Sequence, residues 1–181
     1  MNMRIISGKY KSRRLKGAPP EGIRPTSGKL KETVFNILGP SVEGAAFLDA
    51  CAGLGGMGLE ALSRGASFVC FIERSGKACR IIRDNLKALE IREGFEILEM
   101  DLAKALRTLS RQFDIVFADP PYDRGDLYDA VLRAPVLAPG GMLIVEHSKR
   151  KPLPDSAGAF RKIRSLVQGD AALAFYRPET M

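Results

Sequence analysis

From residue 45 to residue 147 the chain repeats one pattern: a short apolar run, an acidic residue at its end, then an amphipathic stretch. "AAFLDA" precedes "GMGLEALSRG", and "SFVCFIE" precedes "SGKACRIIRDNLKALE". "FEILEM" precedes "LAKALRTL", and "FDIVFA" leads through a loop into "DLYDAVLRA". A last run, "GGMLIVEH", closes the series. Runs so rich in Val, Ile and Phe suit strands buried on both faces, which is the signature of a parallel sheet sandwiched between helices. The segments between them have helical spacing, with Ala78, Ile81, Ile82, Leu86 and Leu89 on one side of the longest. Ahead of the series, "SGKLKETVFNIL" sets Leu30, Val34, Ile37 and Leu38 on a helix face, and Gly39-Pro40 stops it. After it, "RKIRSLVQGDAALAFYR" reads as two strands around Gln168-Gly169-Asp170. The expected architecture is α/β: a doubly wound, mostly parallel sheet that ends in an antiparallel hairpin. Its ligand crevice belongs at the carboxyl ends of the strands.

Four acids stand there in order: Asp49, Glu73, Asp101 and Asp119. All four side chains are expected to reach the crevice. After Asp49 comes "GLGGMG", a literal G-x-G-x-x-G, which in dinucleotide sites lets a pyrophosphate rest on backbone N–H groups at a helix start. A carboxylate beside that loop repels a diphosphate and suits a cationic ligand. S-Adenosylmethionine carries both an ammonium and a sulfonium and no phosphate. Gly53 and Gly55 then admit its methionine part near the backbone, Asp49 faces the amino group through water or N–H groups, and Glu73 takes the ribose hydroxyls. Asp101 accepts from the adenine amino group, and it also suits the N-cap of the helix that follows.

The second motif is "ADPPYD" at residues 118–123. Two prolines stiffen the turn and remove two N–H donors, leaving an acceptor cluster. The lone pair of a nucleobase amino group is delocalised into its ring, which makes it a poor nucleophile. Accepting its N–H protons on the Asp119 carboxylate and the Pro120 carbonyl favours a pyramidal nitrogen and meets the charge that develops as it attacks. Tyr122 is positioned to stack on a base that has left its helix or loop. His147, the sole histidine, reads as a strand-end residue and not as a base. Cys51, Cys70 and Cys79 form no C-x-x-C and read as free, buried thiols, so neither disulfide nor structural zinc is indicated.

Charge separates the ends of the chain from its middle. Residues 1–31 carry nine Lys/Arg and one acid, residues 32–146 carry twelve and seventeen, and residues 147–181 carry seven and three. The basic excess is therefore mainly N-terminal, and clustered Lys/Arg gain affinity for phosphates by counterion release. "RIISGKYKSRRLKG" alternates apolar and basic residues around Ser7-Gly8, as a short hairpin would. No apolar run nears the roughly 20 residues of a membrane span, and the start lacks the apolar stretch of a signal peptide. A cytoplasmic, monomeric protein is expected.

With both motifs in view, the chain resembles the bacterial 16S rRNA guanine-N2 methyltransferases of the RsmD type. The likeness runs along "RIISGKYKSRRL", "RPTSGKLKETVFNIL", "LDACAGLGGMGLEALSRGA" and "VFADPPY". The resemblance implies a Rossmann-like class I methyltransferase domain over residues 23–181 with a basic N-terminal β-hairpin over residues 1–22. It implies Asp119, Pro120, Pro121 and Tyr122 as the catalytic loop. For S-adenosylmethionine it implies Asp49, Ala52, Gly53, Gly55, Glu73, Arg74, Asp101 and Leu102. Arg4, Lys9, Arg13, Arg14, Arg24 and Thr26 lie toward RNA in such a protein, and the substrate is 16S rRNA in a 30S subunit or an assembly intermediate. Relatives of this type usually carry an acid at the place of Gly28, arginines at those of Lys29 and Lys31, and a serine at that of Leu54. A lysine does not reproduce the fork of an arginine. Competing readings are an adenine-N6 methyltransferase, since "DPPY" serves both amines, an NAD-dependent oxidoreductase, and a non-catalytic RNA-binding factor.

Overall fold

The computed structural model of the chain describes residues 3–18 and 27–179. Among these residues eight strands form one sheet in the order β3-β2-β1-β4-β5-β8-β7-β6. They are β1 (Ala46–Asp49), β2 (Phe68–Glu73), β3 (Phe95–Glu99), β4 (Phe113–Ala118), β5 (Leu137–Ser148), β6 (Ser156–Ala157), β7 (Phe160–Gln168) and β8 (Ala171–Pro178). β1 to β5 pair in parallel, while β8 lies antiparallel between β5 and β7. The strand order reverses between β1 and β4, and that is where an open sheet of this kind leaves its crevice.

Among the described residues five α-helices cover the sheet: α1 (Gly28–Leu38), α2 (Gly56–Ser63), α3 (Gly76–Ala88), α4 (Leu102–Thr108) and α5 (Gly125–Arg133). The strands feed two separate cores by simple alternation. Phe47, Val69, Phe71, Ile115 and Phe117 join α1, α2 and α3 on one face. Leu48, Cys70, Ile72, Val116 and Ala118 join α4 and α5 on the other. β1, β2 and β4 are thus apolar on both sides, which is why their sequences lack a polar period. Each fully buried Phe or Leu contributes roughly 1.5–3 kcal/mol. On α1 the inward set includes Phe35, stacked on Phe47 at 6.1 Å, and on α3 it includes Asn85. Ile81 is only half-buried and packs under Gly17.

Residues 3–18 lie along the outer side of α2 and α3. Met3 is near Gly56, the Ile6 and Ser7 N–H groups donate to Glu60, and the Lys9 N–H donates to the Ser63 carbonyl at 2.7 Å. The chain then turns and comes back: Arg13 donates to the Ala88 carbonyl and the Lys16 N–H to Asn85. The two limbs share a single antiparallel bridge, Arg4 with Arg14, and form no paired strands. The Ile5, Ser12 and Leu15 N–H groups donate across to the carbonyls of Arg13, Ile5 and Met3, while those of Ile6, Ser7, Lys9, Tyr10 and Lys16 go to the helices beneath, so the pairing stays at one bridge. At Gly8, φ is +85°, and a Cβ there would stand 1.8 Å from the Ser63 carbonyl oxygen. Among the described residues no helix is long and apolar enough to cross a membrane.

Candidate active site

The glycine-rich turn between β1 and α2 is held from below by two carboxylates. Asp49 is 1% exposed, and its Oδ2 accepts from the Gly58 N–H at 2.9 Å, which satisfies one of the orphan donors at the start of α2. Burial pushes this carboxyl up to about 7, against the Gly58 N–H, which favours the ionised form. Glu73, at the end of β2, accepts from the Gly53 N–H at 2.9 Å with one oxygen and from the Ser75 N–H at 2.7 Å with the other. It thereby ties the glycine turn to the first turn of α3. Gly58 itself has no room for a side chain: a Cβ would lie 2.2 Å from the Phe71 ring. Gly55 faces Ile82 and Phe71, again toward the core.

Across the crevice the turn after β4 is held by hydroxyls. The Tyr128 hydroxyl, on α5, lies 3.0 Å from the Pro120 carbonyl and 3.3 Å from the Glu146 carbonyl, and donates toward both. Burial and then the Asp119 charge raise its pKa, so it stays a protonated donor. The Tyr122 hydroxyl donates to Glu146 Oε1 at 3.3 Å. The Arg124 N–H closes the turn on the Pro121 carbonyl, and the Arg124 guanidinium pairs with both oxygens of Asp126.

Between the two turns lies a cavity of ≈ 460 Å³, within the range of small-molecule sites. It is lined by apolar Ile72, Met100, Leu102 and Leu127, by Glu73, Asp101, Asp119 and Asp123 toward solvent, and by the more deeply buried Glu146. Of the residues expected to bind a cofactor, Gly53, Glu73, Arg74, Asp101 and Leu102 line it; Asp49, Ala52 and Gly55 do not. Ala52 is buried, with its N–H on the Ile72 carbonyl, and Asp49 lies beneath the turn. Asp101 both lines the cavity and caps α4, accepting from the Ala103 and Lys104 N–H groups. Asp119, Pro120, Pro121 and Tyr122 all line the cavity. Cys51 lines it too, and burial, reinforced by Asp119 and Asp49, pushes its thiol up, which keeps it un-ionised. His147 is buried in β5, with Nδ1 near the Ser148 and Lys151 carbonyls. Among the residues not expected at the site, Ile72, Met100, Asp123, Arg124, Leu127 and Glu146 line the cavity, and Tyr128 bonds the turn behind it. For Glu146 a signal existed, since it ends the fifth apolar run as the other acids end the first four.

Lys9 and Arg13, at the turn of the N-terminal segment, are placed apart from this cavity. Arg4, Lys9, Arg13 and Arg14 are exposed, and Lys9 and Arg13 contact the C-terminal ends of α2 and α3. The cavity lies at the opposite ends of those helices, about 12–20 Å away at 1.5 Å per residue. Arg24 and Thr26 lie outside the described residues. Lys31 is not a surface group: it is 5% exposed and pairs with Glu60 at 3.1 Å, with a bond to the Arg4 carbonyl at 2.7 Å. Burial lowers its pKa, while Glu60 pulls the other way. Leu54 is buried and does not line the cavity.

Comparison with known proteins agrees with this architecture. The family described as conserved hypothetical protein 95 matches residues 3–177. YlbH of Bacillus subtilis is 35% identical over 181 residues, covering 97% of this chain and 98% of that protein. The ribosomal RNA small subunit methyltransferase D of Haemophilus influenzae is 36% identical over 157 residues, covering 83% and 81%. The solved structure of yhhF of Escherichia coli superposes with a TM-score of 0.86 at 30% identity, covering 99% of each chain. The chain belongs to the conserved hypothetical protein 95 family, that of the RsmD-type methyltransferases, and has its fold.

Proposed function

We propose that this chain is an S-adenosylmethionine-dependent enzyme that methylates the exocyclic N2 amino group of a guanine in 16S rRNA. The substrate is a 30S subunit or an assembly intermediate, and the enzyme works as a cytoplasmic monomer. The observation that carries the reading is the Asp119–Pro120 turn opening onto a cavity whose other wall holds Glu73 and Asp101.

The residues present fit the cofactor. Two N–H groups at the glycine turn and the start of α2, those of Gly53 and Gly58, already donate to Glu73 and Asp49. A pyrophosphate at the Gly53 N–H would have to displace the Glu73 carboxylate, whereas a cationic ligand gains from it. This supports S-adenosylmethionine over a dinucleotide and puts the discrimination on Glu73, with Asp49 holding the turn from beneath. Glu73 retains acceptor capacity for ribose hydroxyls, since each carboxylate oxygen has two lone pairs. Asp101 stands at the same wall for a polar edge of the adenine, with Ile72, Met100 and Leu102 under its faces. Bound there, the cofactor supplies an electrophilic methyl group on a sulfonium.

The chain supplies the orientation of the nucleophile. The Asp119 carboxylate and the Pro120 carbonyl accept the two amino N–H groups and favour the pyramidal nitrogen that attack requires. The Tyr128 hydroxyl already on the Pro120 carbonyl fixes that acceptor, and the second lone pair of the oxygen serves the substrate. Tyr122 stacks on the base. Arg4, Lys9, Arg13 and Arg14, with Arg24 and Thr26, draw in rRNA phosphates, residues 1–22 acting as a basic arm on the catalytic domain of 23–181. Because the basic turn of the arm is some 12–20 Å from the cavity, it grips a helix adjoining the target and not the target itself.

Incubation with methyl-labelled cofactor and unmodified 30S subunits, followed by mass spectrometry of the rRNA, tests the reading. The expected product is N2-methylguanine in 16S rRNA. Labelled adenine, or transfer to duplex DNA in preference to 30S particles, would replace it with the adenine-N6 reading.

A further inference from the structure

We infer that Glu146 identifies the target base as guanine, by accepting its ring N1–H beside the amino group held at Asp119 and Pro120. The inference rests on the amino-methyltransferase reading above and names what selects the base.

The register of the sheet brings the two groups together. β4 and β5 run parallel with Ala118 opposite Val145, so the next residues, Asp119 just past the end of β4 and Glu146 still within β5, stand side by side, about 5 Å apart at the strand spacing. Both line the cavity. Their relation is locked twice: Tyr128 donates toward the carbonyls of both Pro120 and Glu146, and Tyr122, the stacking residue, donates to the Glu146 carboxylate. Glu146 is 8% exposed. A carboxylate so withdrawn from water favours ligands that bring an N–H donor and disfavours those that bring a lone pair.

Base chemistry then decides. The amino group of adenine is flanked by N1, an acceptor, and that of cytosine by N3, also an acceptor. Only in guanine does an N–H, at N1, adjoin the amino group. A carboxylate next to the amino-holding turn therefore gains a charged hydrogen bond with guanine. With the other two it faces a ring lone pair.

The test uses the full chain and reconstituted 30S particles whose 16S rRNA carries either guanine or 2-aminopurine at the methylated position. 2-Aminopurine keeps the 2-amino group but has a bare N1 and no O6. The wild type should methylate guanine about a hundredfold better or more, as sites built around a substrate N–H reject analogues lacking it. Glu146→Gln can turn either its oxygen or its NH2 toward N1, and its preference should shrink to about tenfold or less. The missing O6 affects both enzymes alike, so the change in ratio reports on N1. Equal methylation of both RNAs by the wild type overturns the inference whatever the variant does. A ratio unmoved by Glu146→Gln also overturns it, with the methyltransferase reading intact. If the wild type methylates neither RNA, the reading beneath it fails as well.

Discussion

The two turns that wall the cavity are stiffened by opposite chemistry. The glycine turn keeps its N–H groups, and acidic side chains from beneath accept them: Asp49 from Gly58, Glu73 from Gly53 and Ser75. The proline turn has given up two N–H groups, so what it must satisfy are carbonyls: the Tyr128 hydroxyl donates to that of Pro120 and the Arg124 N–H to that of Pro121. Each clamp sets the character of the wall that it supports. Carboxylates under the glycine turn repel anions and accept hydroxyls. The clamped carbonyl of the proline turn is a fixed acceptor beside the half-buried Asp119. Complementary wiring of this kind lets one crevice hold a cation on one side and strip protons of their freedom on the other.

The sharpest way to break the comparison is at the acceptor of the proline turn. Asp119→Ala removes the side-chain acceptor and leaves the Pro120 carbonyl with its tyrosine. Methyl transfer should fall about 10²–10³-fold, the usual loss for one preorganised charge-stabilising group. Binding of adenosylhomocysteine, measured by calorimetry, should stay close to that of the wild type. Transfer at the wild-type rate would remove Asp119 from the chemistry.

On the glycine side the expected effect is on folding and depends on pH. Burial raises Asp49 from 3.8 in the unfolded chain to about 7 in the folded one. The folded protein therefore holds a proton that the unfolded chain has released between those values, and stability is lost as pH rises through the window. Asp49→Asn keeps an acceptor for Gly58 but cannot ionise. Thermal unfolding over a pH series should show the variant gaining on the wild type from pH 3.8 to about 7, by on the order of 4 kcal/mol, with no further gain above. A gap that is the same throughout would mean that Asp49 stays ionised across the window, clamped by more than one N–H.

The same contrast explains what could be read without coordinates. The sheet was legible because strands buried on both faces leave uninterrupted apolar runs, and the four acids were legible because they end those runs. What a run does not disclose is depth. Asp49 ends β1 just as Glu73 ends β2, yet it lies under the glycine turn while Glu73 reaches the rim. Glu60 and Lys31 form a buried pair between α2 and α1 that no local pattern announces, since each sits alone on an otherwise ordinary helix. Nor was the two-residue β6 visible, being too short to show a period. Tyr128 reads as a routine inward residue of α5, and its hydroxyl matters only because the α5 fold-back lays it against the proline turn.

That last residue gives the smallest and most discriminating test. If the proline turn is clamped from its carbonyl side, Tyr128→Phe should loosen the acceptor geometry while leaving the aromatic packing of a buried ring in place. The cost should be about one hydrogen bond, roughly 1 kcal/mol or fivefold to tenfold in transfer rate, because the amino nitrogen is held less often in the orientation for attack. A positioning role predicts that the loss falls on kcat and that adenosylhomocysteine binding and thermal stability shift little. A purely structural role predicts the reverse, lower stability with kcat unchanged in the fraction that remains folded. Combining Tyr128→Phe with Asp119→Ala separates the two further. Once the side-chain acceptor is gone, a clamp serving catalysis has less left to orient, and the two losses should sum to less than their separate effects.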